Sequence, residues 1–225
     1  MNALFSFFSS ILLIGNYPSA FALLLSNLVP LIGVLCFGWS VFHVLLVYCM
    51  ETTTVGFFAM LKIWNNQNPN PGNLKINNVQ CVKNTPEVRK FVFKTFIMVF
   101  CCFNFAHIGI LTFLILTREK NPSSFVFPIL LSLVTFCCSH GYSYYKNYLQ
   151  GKENKVITLV GITNAAFARV ILTQVVVIFG IILYLDKGIK YGFVLLFVVF
   201  KTIFDLFGHM NERVKPGQVE PGLKM

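Results

Sequence analysis

The sequence predicts an all-α, polytopic membrane helical bundle with about six transmembrane helices and a polar interior. Of its 225 residues, 56% are hydrophobic and only 12% are charged, whereas soluble domains usually carry about 25% charged residues. Mean hydropathy is +0.72, and phenylalanine alone contributes 25 residues. A soluble core of this size could not bury so much apolar surface, so the composition argues against a soluble helical protein.

Apolar runs long enough to cross a hydrocarbon layer, which takes roughly 20 residues, occur six times. They define one transmembrane domain, residues 17–210, with predicted spans 17–37, 39–64, 90–117, 124–149, 160–185 and 189–210. Residues 1–16 are apolar but too short to span, so we expect an interfacial segment there. Residues 211–225 are expected to form a polar cytoplasmic tail. The longest connection, 65–89, is rich in Asn, Pro and Gly and is expected to be a solvent loop.

Tryptophan residues stand at both ends of the second predicted span. Aromatic residues at such positions commonly anchor a helix at the membrane surface, so Trp39 and Trp64 are expected to be interfacial. His43 lies one turn inside Trp39 and is expected to be interfacial as well.

The formal net charge is +10, and most of the basic residues lie at the ends of apolar runs. Lysine and arginine are denser in every second connection, which predicts six crossings with both termini in the cytoplasm. This distribution explains the basic charge without nucleic acid, and we expect no nucleic-acid partner. The lipid bilayer is the partner that the sequence indicates; protein partners are left open, with a homo-oligomer among them.

Charged groups inside a bilayer are costly and usually face the bundle interior, where they have partners. The polar residues inside the predicted spans therefore define a candidate site. Its members are Glu51, His107, His140, Ser143, Asn147, Arg169, Lys201, Asp205 and His209. Helical periodicity places the last three, spaced four residues apart, on one face of the sixth span.

Depth along each helix predicts which charges meet. At about 1.5 Å per residue, Glu51 and Lys201 both fall roughly 18 Å from the outer end of their spans. Arg169 and Asp205 likewise fall at similar depths near the inner end. We therefore expect two ion pairs, Glu51–Lys201 and Arg169–Asp205, with His140 between them.

Several kinds of site fit these residues, and no catalytic residue is assigned. Asp205 and His209 could bind one divalent metal together with His140, and His107 or Glu51 could complete the set. Zinc and iron accept such nitrogen and oxygen ligands, and a bound metal would activate water in an intramembrane hydrolase.

Three other interpretations need no metal. A proton or ion relay could use Glu51, His140 and Asp205, as in a small transporter or conductor. Lys201 and Arg169 could bind a lipid or its anionic headgroup. Alternatively, the ion pairs only fix helix packing in a structural membrane subunit.

Several segments also carry a resemblance to a known family. They are "NLVPLIGVLCFGWSVFHVLLVYCMETTTVGFFAMLKI", "FNFAHIGI", "CSHGYSYYKNYL", "ARVILTQ" and "FKTIFDLFGH". In this order, over residues 27–212, they resemble the domain-of-unknown-function 6498 family of prokaryotic multi-pass membrane proteins. The resemblance implies a six-helix fold in a prokaryotic cytoplasmic membrane and a shared pattern of polar positions, but no activity.

Two positions depart from that family pattern. Cys49 stands where the resemblance leads us to expect tryptophan, and Gln174 stands where it leads us to expect histidine. If that histidine were a metal ligand, the glutamine would weaken metal binding in this chain.

Overall fold

The protein is largely helical. A computed structural model describes residues 29–39, 41–118, 126–185, 198–199 and 201–202. Its helices are α1 (29–37), α2 (Val41–Trp64), α3 (Pro86–Arg118), α4 (Val126–Ser143), α5 (Leu159–Leu185) and α6 (198–199 and 201–202). A π-helix, Tyr144–Gln150, continues α4, and a 3₁₀ turn, Glu153–Lys155, precedes α5.

Four helices within the described residues are long and apolar enough to cross a membrane. These candidate spans are Phe42–Trp64, Pro86–Phe113, Val126–Gln150 and Leu159–Phe179, with mean hydropathies from 1.4 to 2.0. They correspond to the second to fifth predicted spans.

Other sequence predictions fall wholly or partly outside the described residues. The first and sixth predicted spans are described only at 29–37 and at 198–199 and 201–202, so the count of six remains a prediction. The segments 1–16 and 211–225, as well as Asp205 and His209, lie outside this part of the chain.

α3 begins at Pro86, four residues earlier than predicted. Its first turn is capped by Thr85, whose Oγ1 accepts a hydrogen bond from Val88 N at 3.3 Å. Proline is favoured at the first helical position because it has no N–H to leave unpaired, and Glu87 adds a negative charge where the helix dipole favours one. The Thr-Pro-Glu sequence therefore extends this helix into the connection.

α2 is the central helix. It packs against α3, α4 and α5, and 67% of its most apolar stretch is buried inside the protein, compared with 24–29% for the other three candidate spans. A close approach at Gly56 allows this packing: a Cβ atom there would lie 1.9 Å from the Phe100 ring of α3.

Two apolar clusters lie along α2, one toward each end. One includes Ala59 and Ile63 of α2 with residues of α3 and α5, and the other includes Val44 and Val47 with residues of α1, α4 and α6. Glu51 lies on α2 between these clusters, so the centre of the bundle is where a charge enters the apolar interior.

Trp39 differs from its predicted interfacial role. The chain turns between α1 and α2 at Gly38, which has φ +63°, and Trp39 N donates to Gly33 O at 3.0 Å. The indole folds onto Gly33 and is only 5% exposed. It also stacks on His43, with ring centroids 6.1 Å apart. Trp64 at the other end is 57% exposed, as a lipid-facing anchor would be.

At the loop end of the bundle, where α2 ends and α3 and α5 begin, the loop 65–85 and residues 151–160 fold together into a structure that we call the cap. A two-residue turn at Asn77 and Asn78, both with positive φ, joins the short strands β1 (Lys75–Ile76) and β2 (Val79–Gln80). The loop 65–85 docks on residues 151–160: Gln67 N donates to Asn154 O at 2.8 Å and Val160 N to Pro71 O at 3.1 Å. The connection is therefore ordered by specific hydrogen bonds, which its composition did not reveal.

Candidate functional site

A buried ion pair joins the central helix to α6. Lys201 Nζ lies 2.6 Å from Glu51 Oε2, and the two residues are 1% and 4% exposed. This is the pair predicted from helix depth, and the prediction is confirmed. An unpaired charge in such surroundings would be strongly disfavoured, so each residue stabilises the ionised form of the other.

The Tyr48 ring lies beside the Lys201 ammonium group of this pair. Lys201 Nζ lies 4.9 Å from its centroid, within the range of a cation–π interaction. Tyr48 is one turn from Glu51 on α2, so both side chains reach the same cation. Val198, one turn before Lys201, packs in the apolar cluster with Tyr48 and Phe136, which fixes α6 against α2.

Helix α3 brings a second polar residue to the same level. Phe100 lies against Gly56, and Thr53 Oγ1 lies 3.0 Å from Asn104 Oδ1. The two helices are antiparallel and keep this register, so His107, three residues beyond Asn104, falls level with residues 49–50 of α2. His107 is 1% exposed, so its imidazole is enclosed by the protein.

Helix α5 contributes at this level too. Leu159 and Ile63 belong to one apolar cluster at the loop end. Thr173 is 14 residues from Leu159 and Cys49 is 14 residues from Ile63, which is about 21 Å in each helix. Because α2 and α5 run in opposite directions, Thr173 and its neighbour Gln174 are therefore level with residues 48–49 of α2. Thr173 is buried.

His107 and Gln174 face each other across the α3–α5 interface and are close enough to interact. Even so, within the part of the chain that the structure describes, neither His107 ring nitrogen nor Gln174 Oε1 makes a hydrogen bond of acceptable distance and angle, although all three atoms are buried. Together with the ion pair, these side chains form a polar layer: Glu51, His107, Thr173, Gln174 and Lys201.

His140 lies nearer the loop end than the polar layer. Its ring stacks on Phe58, with centroids 6.2 Å apart and planes at 29°. Phe58 is seven residues from Glu51 along α2, which corresponds to about 10 Å. His140 is half-buried. Because it contacts Phe58, it lies between the polar layer and the loop end.

Arg169 is half-buried on α5, five residues before Gln174 and on its loop-end side. Its predicted partner, Asp205, lies outside the described residues, and the Arg169–Asp205 pair stays a prediction.

Ser143 and Asn147 lie close to the loop end rather than beside Glu51. Asn147 Nδ2 donates to Ser143 Oγ at 3.3 Å where α4 passes into the π-helix. The adjacent Tyr144 hydroxyl accepts from Asn65 Nδ2 at 2.8 Å, just beyond the end of α2. Both predicted site residues, Ser143 and Asn147, therefore lie next to the cap at the loop end and not in the polar layer.

Tyr148 is a residue that the sequence interpretation missed. It is fully buried, its hydroxyl donates to Lys62 O and accepts from Asn66 Nδ2 at 3.4 Å, and Lys62 Nζ lies 5.6 Å from the centroid of its ring. Its ring also stacks on Tyr144 at 5.7 Å. The only signal in the sequence is the four-residue spacing of the two tyrosines, which is common in helices.

The predicted metal site is not assembled by the described residues alone. Among them, no group of three or more His, Cys, Asp or Glu side chains is arranged to hold a metal ion. Of the three proposed ligands, only His140 is described, and Asp205 and His209 are not. A site for zinc or iron at these residues therefore remains a sequence-based hypothesis.

A known family matches most of the chain. The family described as "Family of unknown function (DUF6498)" matches residues 15–221. No curated protein and no solved structure gives a significant match. The family match covers all of α1 to α6 and every residue of the polar layer, and it agrees with the resemblance carried by the motifs. The chain belongs to the DUF6498 family, whose function is unknown.

Proposed function

We propose that the protein is a small membrane transporter or conductor that moves protons across the bilayer, with the Glu51–Lys201 pair as its exchange site. The observation that carries this proposal is the pair itself: a carboxylate and an ammonium group 2.6 Å apart, both at least 95% buried, on helices suited to a membrane. Ionisable residues in such positions commonly belong to proton or ion pathways.

The chemistry of the pair suits proton exchange. In the ionised form Lys201 Nζ carries three protons and Glu51 none. Moving one proton from Nζ to Oε2 leaves a neutral amine and a neutral carboxylic acid, so the net charge of the site does not change. A proton arriving from one side of the membrane can then protonate the amine, and the carboxylic acid can release its proton toward the other side.

His140 is one titratable candidate, among the described residues, on the loop-end side of the pair. It contacts Phe58, and Phe58 lies about 10 Å from Glu51 along α2. Bridging that distance takes an additional polar group or water. In the proposed relay, Asp205 supplies the carboxylate at this depth, and this member lies outside the described residues.

The test is proton flux into liposomes that contain the purified full-length chain and a trapped pH-sensitive dye. A potassium diffusion potential, set with valinomycin, drives the protons. We expect faster internal pH change than in protein-free liposomes, and a rate at the protein-free level for the double variant Glu51→Gln with Lys201→Met. A wild-type rate equal to that of protein-free liposomes would sink the proposal.

A structural role is the second candidate. The two opposite charges of Glu51 and Lys201 neutralise each other, which favours a pair that only holds the helices together. Exchanging both members of a buried ion pair for uncharged groups is often neutral for stability. A double variant that remains folded and retains full proton flux would show that the pair only holds α6 on α2. A folded double variant without flux would support the transport role.

A further inference from the structure

We infer that His107 and Gln174 bind a water molecule between α3 and α5, and that this water extends the polar layer of the Glu51–Lys201 pair. Its role as a proton station rests on the proposed function, whereas the binding of water does not. The inference starts from the buried imidazole of His107 and the buried Oε1 of the half-buried Gln174, which face each other across the α3–α5 interface.

The hydrogen-bonding inventory indicates the ligand. Three buried atoms, His107 Nδ1, His107 Nε2 and Gln174 Oε1, make no hydrogen bond with the residues that the structure describes. A neutral imidazole has one donor and one acceptor nitrogen, and an amide oxygen accepts. Leaving a buried donor or acceptor unpaired is costly. Nδ1 and Nε2 point away from each other in the ring plane, so one molecule can reach only one of them. A molecule that both donates and accepts can join that nitrogen to Gln174 Oε1, and water is the smallest such molecule.

The burial of the His107 imidazole limits the size of the molecule that can bind to it. His107 is 1% exposed, and its helix neighbour Ile108 and the α5 residue Ile171 are exposed on the outer surface of the bundle, where lipid would cover them. A headgroup or a larger lipid-soluble molecule would have to part α3 from α5 to reach the imidazole. Buried waters typically make 2–4 hydrogen bonds, and a water here can bond one His107 ring nitrogen and Gln174 Oε1.

The positions of His107 and Gln174 along their helices would bring this water close to the proposed proton pathway. His107 and Gln174 lie within about one helical turn of the level of Glu51, as the contacts of α2 with α3 and the apolar cluster shared by α2 and α5 indicate. Thr173 is buried on the adjacent position of α5 and adds a hydroxyl to this level. The water would thus lie at about the same level of the bundle as the ion pair.

Water contact at a single imidazole can be measured on the full-length chain in lipid bilayers. The protein contains four histidines, so ¹⁵N-histidine labelling gives few signals, and the signals lost in His107→Phe belong to His107. If that variant does not fold, His107→Gln provides the assignment. Solid-state NMR that transfers magnetisation from water protons then reports which imidazoles touch water.

We expect clear transfer to His107 in the wild type and a several-fold loss of it in Gln174→Leu, with the signal of His140 unchanged as an internal reference. Absent transfer to His107, or transfer unaffected by Gln174→Leu, would overturn the inference. Flux measurements separate the two proposals: water transfer without proton flux removes the proposed function alone, and proton flux without water transfer removes this inference alone.

Discussion

The Phe100 ring occupies the space that a side chain at Gly56 would need. A Cβ atom built on Gly56 would lie 1.9 Å from the ring, far inside van der Waals contact. This is where α2 and α3 approach each other most closely among the glycine positions of the two helices, and it sets the register that brings Asn104 to Thr53 and His107 to the level of Glu51.

Gly56→Ala is therefore expected to destabilise the bundle, because the methyl group displaces the Phe100 ring or separates the helices. Overpacking of this kind typically costs about 1–3 kcal/mol. Gly109→Ala on α3 is the matched control, since nothing lies within 4 Å of its Cβ position and alanine favours helix by up to about 1 kcal/mol. Thermal unfolding in detergent should rank Gly56→Ala below both the wild type and Gly109→Ala. Equal melting temperatures for the two variants would contradict the packing described.

Helix positions and the central ion pair could be predicted from the sequence because both depend on simple regularities. Apolar run length sets where a spanning helix lies, and rise per residue sets how deep a charge sits. Glu51 and Lys201 carry opposite charges at matching depth, and a charge in an apolar interior needs a partner, so no knowledge of side-chain packing was required.

Contacts made by neutral groups could not be predicted in the same way. Tyr148 and Asn66 meet only because the loop 65–85 folds back on residues 151–160, which depends on the full set of hydrogen bonds at the loop end. Likewise, nothing in the sequence signals that Gln174 lies opposite His107. Trp39 resembled an interfacial anchor, but the absence of a side chain at Gly33 allows its ring to fold inward.

Removing one member of the ion pair should cost more stability than removing both. Glu51→Leu leaves the buried Lys201 ammonium without its carboxylate, and Lys201→Met leaves a buried carboxylate; such losses typically amount to about 3–5 kcal/mol. The double variant Glu51→Leu with Lys201→Met leaves no buried charge at the pair and is expected to lie within about 1–2 kcal/mol of the wild type. Denaturant unfolding of all four proteins measures the coupling energy. Additive losses would show that the two charges do not depend on each other.

Asn66→Ala should loosen the cap without disturbing the spanning helices. Asn66 Nδ2 donates to Ile157 O at 2.8 Å, and its Oδ1 accepts from Asn84 Nδ2 at 2.8 Å. Each lost hydrogen bond is worth about 1 kcal/mol. Amide hydrogen exchange should therefore accelerate in residues 65–85 and 151–158 and stay unchanged in α2.

Asn73→Ala is the control for this change, because Asn73 is exposed in the same loop and outside the Asn66 network. Exchange that accelerates equally in both variants would assign the effect to loop composition rather than to the docking contacts of Asn66.

Tyr48 offers a separate measure of the environment of Lys201. Tyr48→Phe keeps an aromatic face near Nζ, whereas Tyr48→Leu removes it, and a cation–π contact in a desolvated site is worth about 2 kcal/mol. Leucine also changes packing, so the comparison is repeated in the Lys201→Met background, where no cation faces the ring. We expect the stability difference between the Phe and Leu variants to shrink by about 1–2 kcal/mol in that background. A difference of the same size in both backgrounds would mean that Tyr48 acts through packing alone, and the ammonium group would then depend on Glu51 rather than on the ring.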